Sequence, residues 1–191
     1  FYEAVTFMGY DILSEEGKNF AIEVLKFLEQ IIFLKIKKYG YRCNIEQIPA
    51  ESTAIKFAKA DAILYKQDKF SLYSNQFIPL INETDLINRI ELQALFEKYF
   101  SGGTILHANM AEKITSIEVM KKLISFIIKK GIQYHAINYF FAECKNKHIS
   151  LTENKICPIC GEDIINHYTR IVGFLTPVSS WQKERREEFL L

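Results

Sequence analysis

The chain has 191 residues, 49% of them hydrophobic and 25% charged, and its 24 basic against 23 acidic side chains leave a net charge of +1. That composition excludes disorder, and the balanced charge excludes a general attraction to nucleic acid or to an anionic membrane, so any anion has to be bound locally. The longest apolar runs, such as residues 31–34, are broken by Lys or Glu well short of the roughly 20 residues a bilayer demands, which excludes a membrane helix.

From residue 14 to about 38, Phe20, Val24, Leu25, Phe27, Leu28, Ile31 and Ile32 recur at three and four residues behind Ser14, Glu15, Glu16 and Gly17. This is the pattern of a capped amphipathic helix, and Gly40 stops it. Residues 41–48 read as a short strand, Pro49 as a break, and 51–61 resume helical spacing. Leu86, Ile87, Ile90, Leu92, Leu95 and Phe96 predict a helix over 84–100, ended by Gly102 and Gly103 and followed by a strand at 104–107. Val119, Leu123, Ile124, Phe126 and Ile127 predict another over 116–130, stopped by Gly131, with a strand again at 134–139. Helices alternating with short buried strands predict an α/β domain with parallel strand pairs. His107, Asn109 and Asn138 lie at strand ends and read as core polar groups that simply find partners, without a catalytic role.

After Cys144 the texture becomes loop-rich, so the chain is divided into a domain over 1–142 and an appendage over 143–191. Three of the four cysteines gather there. Cys157-Pro158-Ile159-Cys160-Gly161 has the spacing of a zinc knuckle: two thiolates two residues apart, and a glycine that permits the tight turn. Cys144 and His148 lie upstream at a suitable separation, so a Cys3His tetrahedron of Cys144, His148, Cys157 and Cys160 is expected, with His167 or a nearby carboxylate as other candidates for the fourth place. A redox pair is the competing reading of the CxxC. Cys43 stands alone and reads as a small buried hydrophobe in a strand. Arg185, Arg186, Glu187 and Glu188 read as a solvated charged face. Clustered thiols beside a histidine, too few for a disulfide framework, point to a reducing cytoplasm.

Two motifs remain. Pro49-Ala50-Glu51-Ser52-Thr53-Ala54 sets a proline turn and two hydroxyls at a helix start, which reads either as a phosphate site or as ordinary capping. Arg170-Ile171-Val172-Gly173-Phe174-Leu175 puts a glycine among β-branched and aromatic residues, odd in a buried strand and natural at a turn or bulge.

The second motif does not stand alone. With the Thr176-Pro177-Val178-Ser179-Ser180-Trp181 that follows it, residues 45–54, 102–109 and 136–139, and the cysteine segment in the expected order, it closely resembles the class III anaerobic ribonucleoside-triphosphate reductases, a family of glycyl radical enzymes. The resemblance covers nearly the whole chain. It implies the C-terminal half of a ten-stranded α/β barrel with a zinc-binding segment and a glycyl radical loop, in a cytoplasmic, homodimeric enzyme that reduces ribonucleoside triphosphates to 2′-deoxyribonucleotides for DNA synthesis. It also implies that Gly173 stores the radical, installed by an activating enzyme that uses S-adenosylmethionine and an iron-sulfur cluster, and that Ala50, Glu51, Ser52, Thr53 and Ala54 hold the substrate phosphates. Glycine suits the radical because spin spreads over the flanking amides only from a planar Cα that no Cβ crowds. The family's thiyl cysteine and allosteric segment lie upstream of the matched region, and the chain opens on Phe1, so a fragment inactive by itself is expected. A stand-alone radical subunit working in trans is the alternative. A zinc-ribbon module that binds nucleic acid is disfavoured, because Lys145, Lys147, Lys155 and Arg170 are cancelled by Glu143, Glu153, Glu162 and Asp163.

Overall fold

The computed structural model describes residues 1–110, 113–152, 154–170 and 175–187, apart from the Glu51 side chain. They divide between two compact units, Phe1–Leu106 with Ile124–His135, and His107–Leu123 with Ala136–Leu191.

In the first unit, helices α1 (Tyr2–Phe7), α2 (Glu15–Tyr39), α3 (Glu51–Leu64) and α4 (Leu86–Glu97) follow one another. The start of α2 is the one its sequence predicts: Ser14 Oγ accepts the Gly17 N–H at 3.0 Å, Glu15 and Glu16 sit in the first turn, and Gly40 ends the helix at φ 71°. Gly17 has a further job. A Cβ there would stand 1.8 Å from the Asp11 carbonyl oxygen, so the preceding loop packs directly on the helix backbone. Only the first half of α2 joins the core, where Ala21 and Leu25 meet Val5, Ile12, Ile78, Leu92 and Phe96. Phe77 and Phe96 pack edge to face, their centroids 5.2 Å apart. Arg89 on α4 ties the loop above this core, donating to the carbonyls of Ile78 (2.7 Å), Pro79 (3.0 Å) and Asn82 (2.7 Å).

The strand expected at 41–48 does not form. Glu46 makes one parallel bridge to Gly103, and the Gly102 N–H donates to the Ile45 carbonyl at 2.7 Å. Gln47 Oε1 then accepts the Ile105 N–H at 2.8 Å, so a side chain stands in for the next backbone rung. The approach depends on glycine, since a Cβ on Gly102 would lie 2.7 Å from the Asn44 side chain. Cys43 is exposed and outside any strand, contrary to its reading as a buried hydrophobe.

Strands β1 (Leu106–Asn109) and β2 (His135–Asn138) pair with each other, and α5 (Ile117–Lys129) lies between them in sequence. The Leu106 N–H donates to Tyr134 O and the Met110 N–H to Asn138 O, an advance of four residues on each side, so these strands run parallel as expected.

The second unit holds what the sequence presents as loop. Strands β3 (Phe141–Cys144), β4 (Ile149–Ser150), β5 (Ile164–Arg170) and β6 (Leu175–Pro177) form an antiparallel sheet in the order β4-β3-β5-β6. A 3-10 turn (Val178–Ser180) and α6 (Lys183–Glu187) follow. The strands escape pattern reading because they are short and carry polar residues on both faces, as in Asn166-His167-Tyr168-Thr169-Arg170. β3 runs across positions 142 and 143. Within the charged tail, Arg185 is buried rather than solvated, and Glu188 lies outside the described residues. Among the described residues, the buried apolar side chains of this unit are Ala108, Ala142, Cys144, Cys157 and Val178. Two of those five are thiols.

Candidate metal centre

Two hairpins carry the four expected ligands. The first joins β3 to β4 through Lys145, Asn146, Lys147 and His148: the Cys144 N–H donates to His148 O at 3.1 Å, the Lys147 N–H returns to Cys144 O at 2.9 Å, and Lys147 takes a left-handed φ of 65°. That geometry brings residues four apart in sequence back to adjacent rungs, with both side chains near the hairpin end. Lys147 Nζ steadies the turn by pairing with Glu143 Oε1 at 3.1 Å, and Glu143 Oε2 accepts from Tyr168 Oη at 2.8 Å. The Tyr168 hydroxyl and then the Lys147 ammonium hold the Glu143 carboxyl below its ordinary value.

The second hairpin is the knuckle. An antiparallel bridge joins Ile156 to Asp163, the Cys157 N–H donates to Glu162 O at 2.8 Å, and the Gly161 N–H donates to Cys157 O at 2.9 Å, with Gly161 at φ 77°. The Ile159 N–H points at Cys157 Sγ (3.4 Å), and Asn146 Nδ2 from the first hairpin points at Cys160 Sγ (3.6 Å).

The hairpins face each other. The ligand atoms of Cys144, His148, Cys157 and Cys160 all lie within 4.8 Å of one another. Cys144 Sγ is 3.8 Å from Cys160 Sγ, and Cys157 Sγ is 3.9 Å from His148 Nδ1. Donors at zinc bond lengths on a tetrahedron stand about 3.5–3.8 Å apart, so the set fits a zinc-sized ion with little movement. Burial pushes the Cys157 thiol up, but the amides of Ile159 and Cys160 and the Cys160 and Cys144 thiols outweigh it and bring it down to about 6. A thiolate at neutral pH is the form a metal takes. The Cys160 thiol is raised: the Glu162 amide lowers it, but burial and the neighbouring Cys157 and Cys144 prevail. His167, the other candidate for the fourth place, sits on β5 opposite Ala142 and is not in the group.

Gly173 lies outside the described residues, with Ile171, Val172 and Phe174. The residues that flank these four positions, Arg170 and Leu175, are register partners, followed by Thr169 with Thr176 and Tyr168 with Pro177. Side chains brace the pair from behind: Trp181 Nε1 donates to Thr176 Oγ1 at 2.8 Å, and Ser179 Oγ to Asn166 Oδ1 at 3.0 Å.

The phosphate candidates stand in the first unit. Ala50 is the N-cap of α3 with a left-handed φ of 57° and no side-chain cap, while the Thr53 and Ala54 N–H groups turn back to Ala50 O at 2.7 and 3.2 Å. Ser52 and Thr53 are exposed and Ala54 is buried. Neither hydroxyl caps the helix, which removes the ordinary capping explanation for Ser52 and Thr53.

One grouping was invisible in the sequence. His107, Asn109 and Asn138, 31 residues apart at the extremes, meet through Asn138 Nδ2, which donates to Asn109 Oδ1 at 2.9 Å and lies 3.1 Å from His107 Nδ1. They partner one another as expected of core polar groups, except that Asn138 Oδ1 is buried with no hydrogen-bond partner among the described residues. Burial, and then the Arg170 guanidinium, hold the His107 imidazole below its ordinary value.

A model of the family described as anaerobic ribonucleoside-triphosphate reductase matches residues 1–191. No curated protein sequence matches the chain. Among solved structures, an anaerobic ribonucleotide reductase superposes with a TM-score of 0.86 at 36% identity, over 98% of this chain and 32% of its own. The Thermotoga maritima anaerobic ribonucleotide reductase with glycerol in its active site gives 0.83 at 37% identity, and the same enzyme in complex with dATP and CTP gives 0.81 at 36%, each over 98% of this chain and 32% of its own. The chain thus spans about a third of the length of the reductases it resembles.

Proposed function

The chain belongs to the anaerobic ribonucleoside-triphosphate reductase family, and from that membership we propose that it is the radical-bearing C-terminal part of an enzyme that reduces ribonucleoside triphosphates to 2′-deoxyribonucleoside triphosphates. Residues 1–142 belong to the ten-stranded barrel domain, and 143–191 form the zinc-binding segment and the glycyl radical loop. An activating enzyme that uses S-adenosylmethionine and an iron-sulfur cluster takes one hydrogen atom from the Gly173 Cα. The glycyl radical takes the hydrogen atom of a cysteine thiol in the barrel, and the thiyl radical so formed acts on the ribose. The full enzyme is a cytoplasmic homodimer. Among the described residues, no helix is long and apolar enough to cross a membrane.

The observation that carries this reading is the convergence of Cys144, His148, Cys157 and Cys160 to within 4.8 Å in a chain the family matches from end to end. Bound zinc would supply a structural crosslink, with all four places taken by protein and none open for substrate. The residues around it act on position: the β3–β4 hairpin and the knuckle are clamped together, and β5 leaves the clamp toward Arg170. At the other end of the chain, the segment Ala50, Glu51, Ser52, Thr53 and Ala54 receives the substrate phosphates at the head of α3, through the amides its turn does not use and through the Ser52 and Thr53 hydroxyls.

The test is to activate the protein anaerobically with S-adenosylmethionine and its activating enzyme and record an electron paramagnetic resonance spectrum, with Gly173→Ala as control and the metal content measured on the same sample. A doublet that the control lacks, with zinc near one per chain, is expected. A doublet that survives Gly173→Ala removes the radical assignment, and zinc-free protein with an unaltered melting curve removes the structural metal.

A further inference from the structure

Asn109 is the last residue of β1 and Asn138 the last of β2, so two carboxamides stand side by side at the carboxyl ends of neighbouring parallel strands. That end of a parallel pair is where α/β proteins receive their ligands, because the backbone and side chains there open outward from the sheet. Asn138 is nevertheless only 3% exposed, and His107 only 6%. The Asn138 Nδ2 group uses both of its hydrogens within the cluster, one toward Asn109 Oδ1 (2.9 Å) and one toward His107 Nδ1 (3.1 Å). In this arrangement His107 accepts at Nδ1. With the amide nitrogen committed, its Oδ1 is the group left over, buried and without a partner among the described residues.

A buried acceptor held in place by its own neighbours asks for a donor. The neutral carbonyl oxygen would repel a carboxylate or phosphate, and it offers a hydroxyl a single well-defined bond. On the reductase reading, on which this step rests, the substrate carries such hydroxyls on its sugar. We infer that Asn138 is a ribose-contacting residue: Oδ1 accepts a hydrogen bond from a hydroxyl of the ribonucleotide sugar, and His107 and Asn109 are positioning residues that hold the amide for it. The contact would let the enzyme distinguish a ribonucleotide from a product that has lost that hydroxyl.

The experiment uses the full-length reductase and compares equilibrium binding of CTP, 2′-deoxy-CTP and 3′-deoxy-CTP to the parent, Asn138→Ala and Asn138→Asp. The parent is expected to bind CTP about tenfold more tightly than the analogue that lacks the contacted hydroxyl. Asn138→Ala should lose that preference while binding the analogue as the parent does, and Asn138→Asp, which keeps an acceptor oxygen but loses both donors toward His107 and Asn109, should lose it as well. A preference unchanged in Asn138→Ala overturns the inference, as does an equal loss of affinity for the analogue that lacks the hydroxyl, which would assign the effect to the strand pair; a preference retained in Asn138→Asp overturns the positioning role of His107 and Asn109. If Asn138→Ala does not fold, a parent that binds all three nucleotides alike is enough to reject it. The radical spectrum of the parent separates the two readings: no doublet after activation sinks the reductase reading and the ribose contact with it, whereas a doublet with unaltered discrimination sinks the ribose contact alone.

Discussion

Ala50 holds a conformation that L-residues avoid, at φ 57°, in the turn that opens α3. A Cβ in the left-handed region costs about 1–2 kcal/mol, and a glycine gives part of that back as unfolded-state entropy. Ala50→Gly should therefore stabilise the full enzyme by about 0.5–1 kcal/mol, read as a rise in melting temperature, and should leave nucleotide affinity unchanged if the turn binds phosphate through its amides. Loss of affinity would show that the Ala50 methyl is part of the site. The Cys157 thiol gives a pH prediction. A group depressed to about 6 keeps its charge above that value and is protonated below it. Bound zinc competes with the proton and holds the thiolate to lower pH still, so metal retention should hold at neutral pH and be lost only below about 6, measured as zinc remaining after dialysis. Release that begins well above neutrality would contradict the thiolate assignment.

At the scale of elements, the sequence was informative where one residue decides a boundary and silent where several strands share a decision. Ser14, Gly40 and the three-four spacing between them define α2 almost to the residue, because capping and periodicity act locally. The Cys3His set was legible for the same reason: ligand spacing is a local rule, and two hairpins deliver it. The antiparallel sheet was not, since each strand is too short to show a period and is stabilised by its neighbours rather than by its own sequence. Nor was the His107, Asn109 and Asn138 cluster, which depends on strand pairing across a helix. Gly17→Ala tests the local account. With the Asp11 carbonyl 1.8 Å from where the methyl would go, the loop must move off α2, and a loss of at least about 2 kcal/mol is expected in chemical denaturation. A change under half that would mean that the loop yields freely. In the second unit, Cys157→Ser with Cys160→Ser should cost more than any apolar truncation there and expose the β5–β6 segment to proteolysis, because thiols make up much of its buried apolar content. Unaltered protection would show that the sheet stands without its metal.

At the scale of the whole molecule, the first unit carries apolar surface that its own core does not use. Phe33 on α2 is 66% exposed and Ile63 on α3 is 81% exposed, with Phe27, Leu34, Phe57 and Leu64 also open. Apolar faces of this extent on helices mark surfaces that other polypeptide covers. The chain spans about a third of the reductases it resembles, which agrees with such cover coming from further reductase sequence. Produced alone, it should bind an apolar dye and elute at a concentration-dependent size in gel filtration. A sharp monomer peak that ignores dye and concentration would show that these faces tolerate water.

The pairing of Arg170 with Leu175 makes the four intervening positions a counted interval. Side chains alternate across a sheet, so a strand displaced by one residue presents its opposite face. Substituting residues between 170 and 175 leaves β6 in register. Adding or removing one asks Thr176 to trade sides with its neighbours and carries the Trp181 bond off the face it occupies. If Gly173 carries the radical, spacing constrains this segment as much as the identity of its glycine does.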